Sequence, residues 1–101
     1  MGKRRWVDVE VSLYNCDLLI KDVGAKTEKT YIISRDTEIV VKEDHDQSLP
    51  NAAEYFVFSI EGGGISKTLA TTDENVRAEW IDALTIASKV AAIGAFGLEF
   101  R

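Results

Sequence analysis

The sequence predicts a mainly β fold, a small barrel or sandwich of antiparallel strands capped by one C-terminal amphipathic α-helix. Three observations carry this reading. Trp6 opens a run in which Val7, Val9, Val11 and Leu13 alternate with Asp8, Glu10 and Ser12. Short β-branched runs separated by turn residues continue to Thr71. Trp80 then stands inside a segment with helical periodicity and a capped start.

The alternation from Val7 to Leu13 has the period of two that a half-buried strand requires. Tyr14-Asn15-Cys16-Asp17 reads as a bend or bulge before Leu18-Leu19-Ile20. The stretch 22–30 is polar, contains Gly24 and carries Lys26 and Lys29, so an exposed loop is expected there. Tyr31-Ile32-Ile33 and Glu38-Ile39-Val40-Val41 are short strands separated by a turn at Arg35-Asp36. Residues 43–53 hold the only proline, Pro50, and form the longest expected loop.

Tyr55 to Ile60 is a strand with Phe56, Phe58 and Ile60 on one face. Glu61-Gly62-Gly63-Gly64 connects it to a partner strand, Ile65 to Thr71, because glycine reaches the positive φ angles of tight hairpins. Thr71-Thr72-Asp73-Glu74 supplies a helix N-cap and first-turn acids. Val76, Trp80, Ala83, Leu84, Ala87 and Ala91 fall on one helical face, so a helix is expected from about Asp73 to Ala92, with Trp80 in the core and Gly94 as terminator. Phe96, Leu98 and Phe100 alternate with Gly97, Glu99 and Arg101, a strand pattern that suggests an extra strand over 95–101.

Length and charge bound the function. A chain of 101 residues fits one domain, since cores commonly enclose about 100–150 residues. Cys16 has no second cysteine to pair with, which suits a reducing, cytoplasmic setting. The basic start leads into no apolar stretch, so no signal peptide is expected. The uncharged stretch Val90 to Leu98 falls far short of the ~20 residues of a spanning helix, so no transmembrane segment is expected. A net charge of −5 opposes phosphate backbones and argues against nucleic acid as a partner. That charge is uneven: Lys3-Arg4-Arg5 is basic, whereas Glu43, Asp44 and Asp46 cluster, and a polarised surface is expected.

Catalytic and metal chemistry find little footing. Gly62-Gly63-Gly64-Ile65-Ser66-Lys67-Thr68 lacks the glycine that a phosphate-binding loop needs before its lysine, and a strand follows instead of a helix. Asp44, His45 and Asp46 would open a calcium loop only with a glycine at its sixth position and an acid at its twelfth, where Leu49 and Tyr55 stand. His45 is the only histidine, and no serine–histidine–acid or cysteine–histidine spacing is evident. Neither an enzyme, a metal nor a cofactor is expected.

Several landmarks together resemble a pleckstrin-homology (PH) domain over about residues 3–92. Lys3-Arg4-Arg5-Trp6 resembles the start of that family's second strand, and Ser12-Leu13-Tyr14 its third. Tyr31-Ile32-Ile33-Ser34 and Glu38 to Lys42 fit the fourth and fifth, and Tyr55-Phe56-Val57-Phe58 the aromatic strand that follows. Thr72 to Trp80, with Ala78-Glu79-Trp80, resembles the helix whose tryptophan plugs the barrel. Phosphotyrosine-binding and FERM third-lobe domains share this superfold and stand second, because their last helix usually lacks the Glu-Trp pair.

The chain departs from the family in two ways. The first strand, which usually supplies a phosphoinositide-binding lysine, has only Met1 and Gly2 to form it, so the chain reads as part of a larger protein or as one whose residues 95–101 take that place. Val7-Asp8-Val9 also puts an acid close to the basic cluster. The resemblance implies a non-catalytic module that binds phosphoinositides at a membrane surface, with peripheral membrane attachment. It places the headgroup contacts at Lys3, Arg4, Arg5, Tyr14 and Lys29. Cations two apart on a strand share a face and form charge-assisted bonds to phosphate oxygens. The alternative reading is a protein–protein interaction module, completed or dimerised through an open sheet edge.

Overall fold

The computed structural model describes residues 6–95, so Lys3, Arg4, Arg5 and the tail after Ala95 lie outside the described residues. Six strands precede one helix: β1 (Val9–Tyr14), β2 (Asp17–Asp22), β3 (Lys29–Ile32), β4 (Glu38–Lys42), β5 (Phe56–Gly62), β6 (Ile65–Thr71) and α1 (Glu74–Ala95). They form two separate antiparallel sheets of three strands, ordered β1-β2-β3 and β4-β5-β6. The mainly β fold with a C-terminal helix therefore stands, as two sheets rather than one hydrogen-bonded barrel among the described residues.

Each turn has a local cause. Asn15 takes φ 56° between β1 and β2, a left-handed geometry that asparagine tolerates better than most residues. Tyr14 pairs with Asp17 across it, so the expected bend is a two-residue hairpin. Gly63 and Gly64 have φ 64° and 86°, as a hairpin turn with two positive φ angles demands, and Gly62 pairs with Ile65 across it. The 43–53 loop contains Leu49, which is buried, and runs into a short 3₁₀ turn over Ala52–Glu54 that hydrophobic periodicity did not indicate.

The core lies between the sheets and under the helix. Leu18 and Ile20 of β2, Phe58 and Ile60 of β5, Ile65 of β6, and Leu84 and Ala87 of α1 form one buried cluster with Ile33. Strand β5 is buried on both faces, since Val57 and Ser59 are as inaccessible as Phe58 and Ile60. The helix begins where the sequence indicates: the Asp73 carboxylate accepts the Asn75 N–H at 2.9 Å as an N-cap.

Several expectations need correction. Strand β1 begins at Val9, and among the described residues 6–8 stand outside it, with the Asp8 carbonyl prolonging the pairing by accepting the Val23 N–H at 2.9 Å. The buried helical face is rotated by about one residue from the expected stripe, because Arg77 occupies it while Val76 is exposed. Trp80 is half-buried against the core cluster rather than fully enclosed. The helix passes through Gly94 to Ala95. One glycine costs a helix only about 1 kcal/mol against alanine, too little to end it by itself. Ala95 is thus helical, and the rest of the expected extra strand lies outside the described residues.

Candidate functional site

The β pairings decide which predicted contacts can meet. Ile20 pairs with Lys29 and Asp17 with Ile32, so Lys29 sits at the end of its sheet where Asp22 pairs with Val9. Tyr14 sits at the opposite end, on the β1–β2 turn, and is 64% exposed. Three ladder steps of about 3.3 Å separate the two ends, with two strand spacings of about 4.8 Å across the sheet. Tyr14 and Lys29 therefore stand at opposite ends of this sheet.

Lys29 instead lines a cleft of about 540 Å³ with Val7, Ile20, Asp22, Tyr31 and Lys67. Lys67 arrives from β6, in the other sheet, and its Nζ lies 5.4 Å from the centre of the Tyr31 ring. A lysine held over an aromatic face keeps its charge near that wall of the cleft. The sequence offers Lys67 only as the lysine of a rejected phosphate-binding loop, and nothing in it places that side chain beside Lys29. An adjoining groove shares Val7, Ile20, Asp22 and Lys67 and extends to Trp6.

The electrostatics around this cleft are mixed. Asp22 lines it beside the two lysines. The Trp6 indole N–H donates to the Ser48 hydroxyl at 2.7 Å, and the Asp46 carboxylate accepts the Ser48 backbone N–H at 2.9 Å. The acidic loop is thereby tied to Trp6, which directly follows the basic triplet in sequence. Through Trp6 the acidic loop reaches the groove that Lys67 also lines, so acid and base meet there among the described residues.

A second concave region lies between β1 and α1. Val9, Val11, Phe58, Leu69, Val76 and Trp80 line one part of it, and Val11, Ser12, Leu13, Glu79, Trp80 and Ala83 the next. Strand β1 is an edge strand of its sheet. The Asp8–Val23 bond and the β1–β2 register show that the even-numbered residues of β1 face β2 in hydrogen bonding. The N–H and C=O groups of Val9, Val11 and Leu13 consequently point to the open side.

The remaining chemical groups are tied into the fold. Cys16 Sγ donates to the Ala87 carbonyl at 3.4 Å. The Ser88 hydroxyl is shared between the carbonyls of Ser34 (2.9 Å) and Thr37 (3.2 Å), locking α1 to the turn before β4. His45 Nδ1 lies 3.1 Å from the Tyr55 carbonyl. Among the described residues no cluster of three or more histidine, cysteine or acidic side chains is placed to hold a metal, and no helix is long and apolar enough to cross a membrane. Set against protein-family models, curated proteins and solved structures, the chain matches none.

Proposed function

We propose that this chain is a non-catalytic, PH-like module that binds the phosphates of anionic phosphoinositide headgroups at a membrane surface. The observation that carries the reading is the meeting of Lys29 and Lys67, far apart in sequence, in one cleft that adjoins Trp6. Two ammonium groups on the walls of a concave site give a phosphate cluster several charge-assisted donors at once. Lys3, Arg4 and Arg5, just ahead of Trp6, add cations for long-range attraction to an anionic leaflet. The order of two three-stranded antiparallel sheets and a terminal helix agrees with the resemblance drawn from the sequence.

Vesicle sedimentation tests this directly. Each lysine near an anionic surface contributes about 1 kcal/mol, so Lys29→Ala/Lys67→Ala should weaken binding to phosphoinositide vesicles roughly thirtyfold. Lys3→Ala/Arg5→Ala should weaken it by a similar factor, while Tyr14→Phe should leave it unchanged. Equal binding to vesicles with and without phosphoinositide, or full binding by the Lys29/Lys67 double variant, would refute the reading.

A second reading, a protein-binding module, is favoured by a different observation. Among the described residues the outer backbone edge of β1 is open, and it runs beside a mainly apolar groove that ends on Glu79, Trp80 and Ala83. An unpaired edge of this kind recruits an added strand through main-chain hydrogen bonds, with alternate side chains filling the groove.

A further inference from the structure

The protein-binding reading leaves its partner unnamed, and the chemistry of β1 narrows it. Resting on that second reading, we infer that the strand that completes the β1 edge is β1 of a second copy of this chain, paired antiparallel across a two-fold axis at Val11.

Register selects this arrangement. Val9, Val11 and Leu13 are half-buried on the core side, whereas Glu10, Ser12 and Tyr14 are exposed on the outer side. A two-fold pair keeps apolar opposite apolar only if the paired residue numbers have the same parity. With the axis at Val11, Val9 faces Leu13 of the second copy, Val11 faces its own equivalent, and Leu13 faces Val9. These are the residues whose N–H and C=O groups point outward, so each pair exchanges both its backbone bonds.

Charge separates this register from its neighbours. On the outer face it sets Glu10 against Ser12 and Asp8 against Tyr14, with no acid opposite an acid. Sliding the strands by two residues in one direction brings Glu10 onto Glu10 of the other copy, a like-charge cross-strand contact that destabilises. Sliding them the other way removes the Val9–Leu13 pairs. The chosen register gives the longest ladder free of repulsion.

The groove accepts what this register delivers. Leu13 of the second copy lies toward the wall formed by Val76, Leu69 and Trp80, and Val9 of the second copy lies toward Ala83 and Trp80. Apolar side chains from the added strand thus enter a trough that is apolar along most of its length, with Glu79 at the Ala83 end. The pairing joins two three-stranded sheets into one of six and removes both open β1 edges.

Sedimentation equilibrium of the full chain, from micromolar to millimolar, tests the inference alongside variants at exposed Ser12. Ser12→Glu places acids opposite Glu10 twice per dimer and should weaken dimerisation roughly tenfold, while Ser12→Lys should strengthen it about threefold. The double exchange Glu10→Lys/Ser12→Glu restores opposite charges in this register alone and should return the dimer to within about twofold of wild type. Circular dichroism of each variant checks that the fold is kept, and amide exchange at Val9, Val11 and Leu13 should slow as protein concentration rises.

A chain that stays monomeric to millimolar concentration with fast exchange at these amides overturns the second copy as partner, while the edge remains open for a different protein. Slow exchange at them in a monomer removes the open edge itself, and with it the protein-binding reading. A dimer indifferent to charge at Ser12 overturns the register.

Discussion

Arg77 is the residue whose role depends most on what surrounds it. It lies on the first turn of α1, where a solvated basic side chain would be unremarkable, yet it is only 8% exposed. Its Nη1 donates to the carbonyls of Lys42 and Val57, each at 3.1 Å, at the end of the β4–β5 ladder. The guanidinium carbon also stands 5.5 Å from the centre of the Phe56 ring. Its contact with Glu74, at 3.7 Å, involves a carboxylate that is 67% exposed and so contributes little. Arg77→Met fills much of the volume but leaves two carbonyls unpaired. We expect a loss of about 2–4 kcal/mol and a fall in Tm of roughly 10–25 °C, measured by thermal denaturation. Glu74→Gln should change stability by less than about 0.5 kcal/mol. Were the ion pair the main contribution, the two variants would instead be similar.

At the scale of elements, the glycine hairpin and the turn before β4 form one junction. A Cβ at Gly62 would run into the Asp36 carbonyl oxygen, and Gly62 also has φ 88°. Gly24 has nearly the same φ, 87°, but open space where its Cβ would be. Gly24→Ala should therefore cost only the backbone strain, about 1–2 kcal/mol, and Gly62→Ala clearly more, with urea denaturation giving both values. Equal costs would mean that the close approach to Asp36 relaxes without penalty. This junction also marks what the sequence disclosed at this scale. Strand positions and the glycine hairpin were legible because alternation and positive-φ residues act locally. The phase of α1 was not, because Arg77 earns its burial through carbonyls of β4 and β5 that no helical periodicity encodes. The place of Lys67 was not legible for the same reason: Tyr31, whose ring it covers, and Lys29, which lines the same cleft, belong to the opposite sheet.

For the molecule as a whole, a net charge of −5 competes with a local set of cations. The range of each effect decides which one a membrane feels. The molecule has a radius of gyration of 14.8 Å. At about 0.01 M salt the Debye length is roughly 30 Å, so an anionic vesicle senses nearly the whole molecule and is repelled by its net charge. At about 0.1 M it falls to roughly 10 Å, and only groups close to the surface count: Lys29, Lys67 and the basic triplet if the cleft faces the bilayer. Near 1 M it is roughly 3 Å, and the contacts between ammonium and phosphate are screened as well. Binding to phosphoinositide vesicles should therefore pass through a maximum near about 0.1 M salt, falling on either side of it. A protein recruited by net positive charge would instead bind most tightly at the lowest salt. The Lys29→Ala/Lys67→Ala variant should lose the maximum, since without the cleft lysines added salt has less local attraction to uncover. A monotonic fall for the wild-type chain across this range would show that the acids tied to Trp6 through Ser48 do not oppose the approach, and would count against a local cleft as the recruiting element.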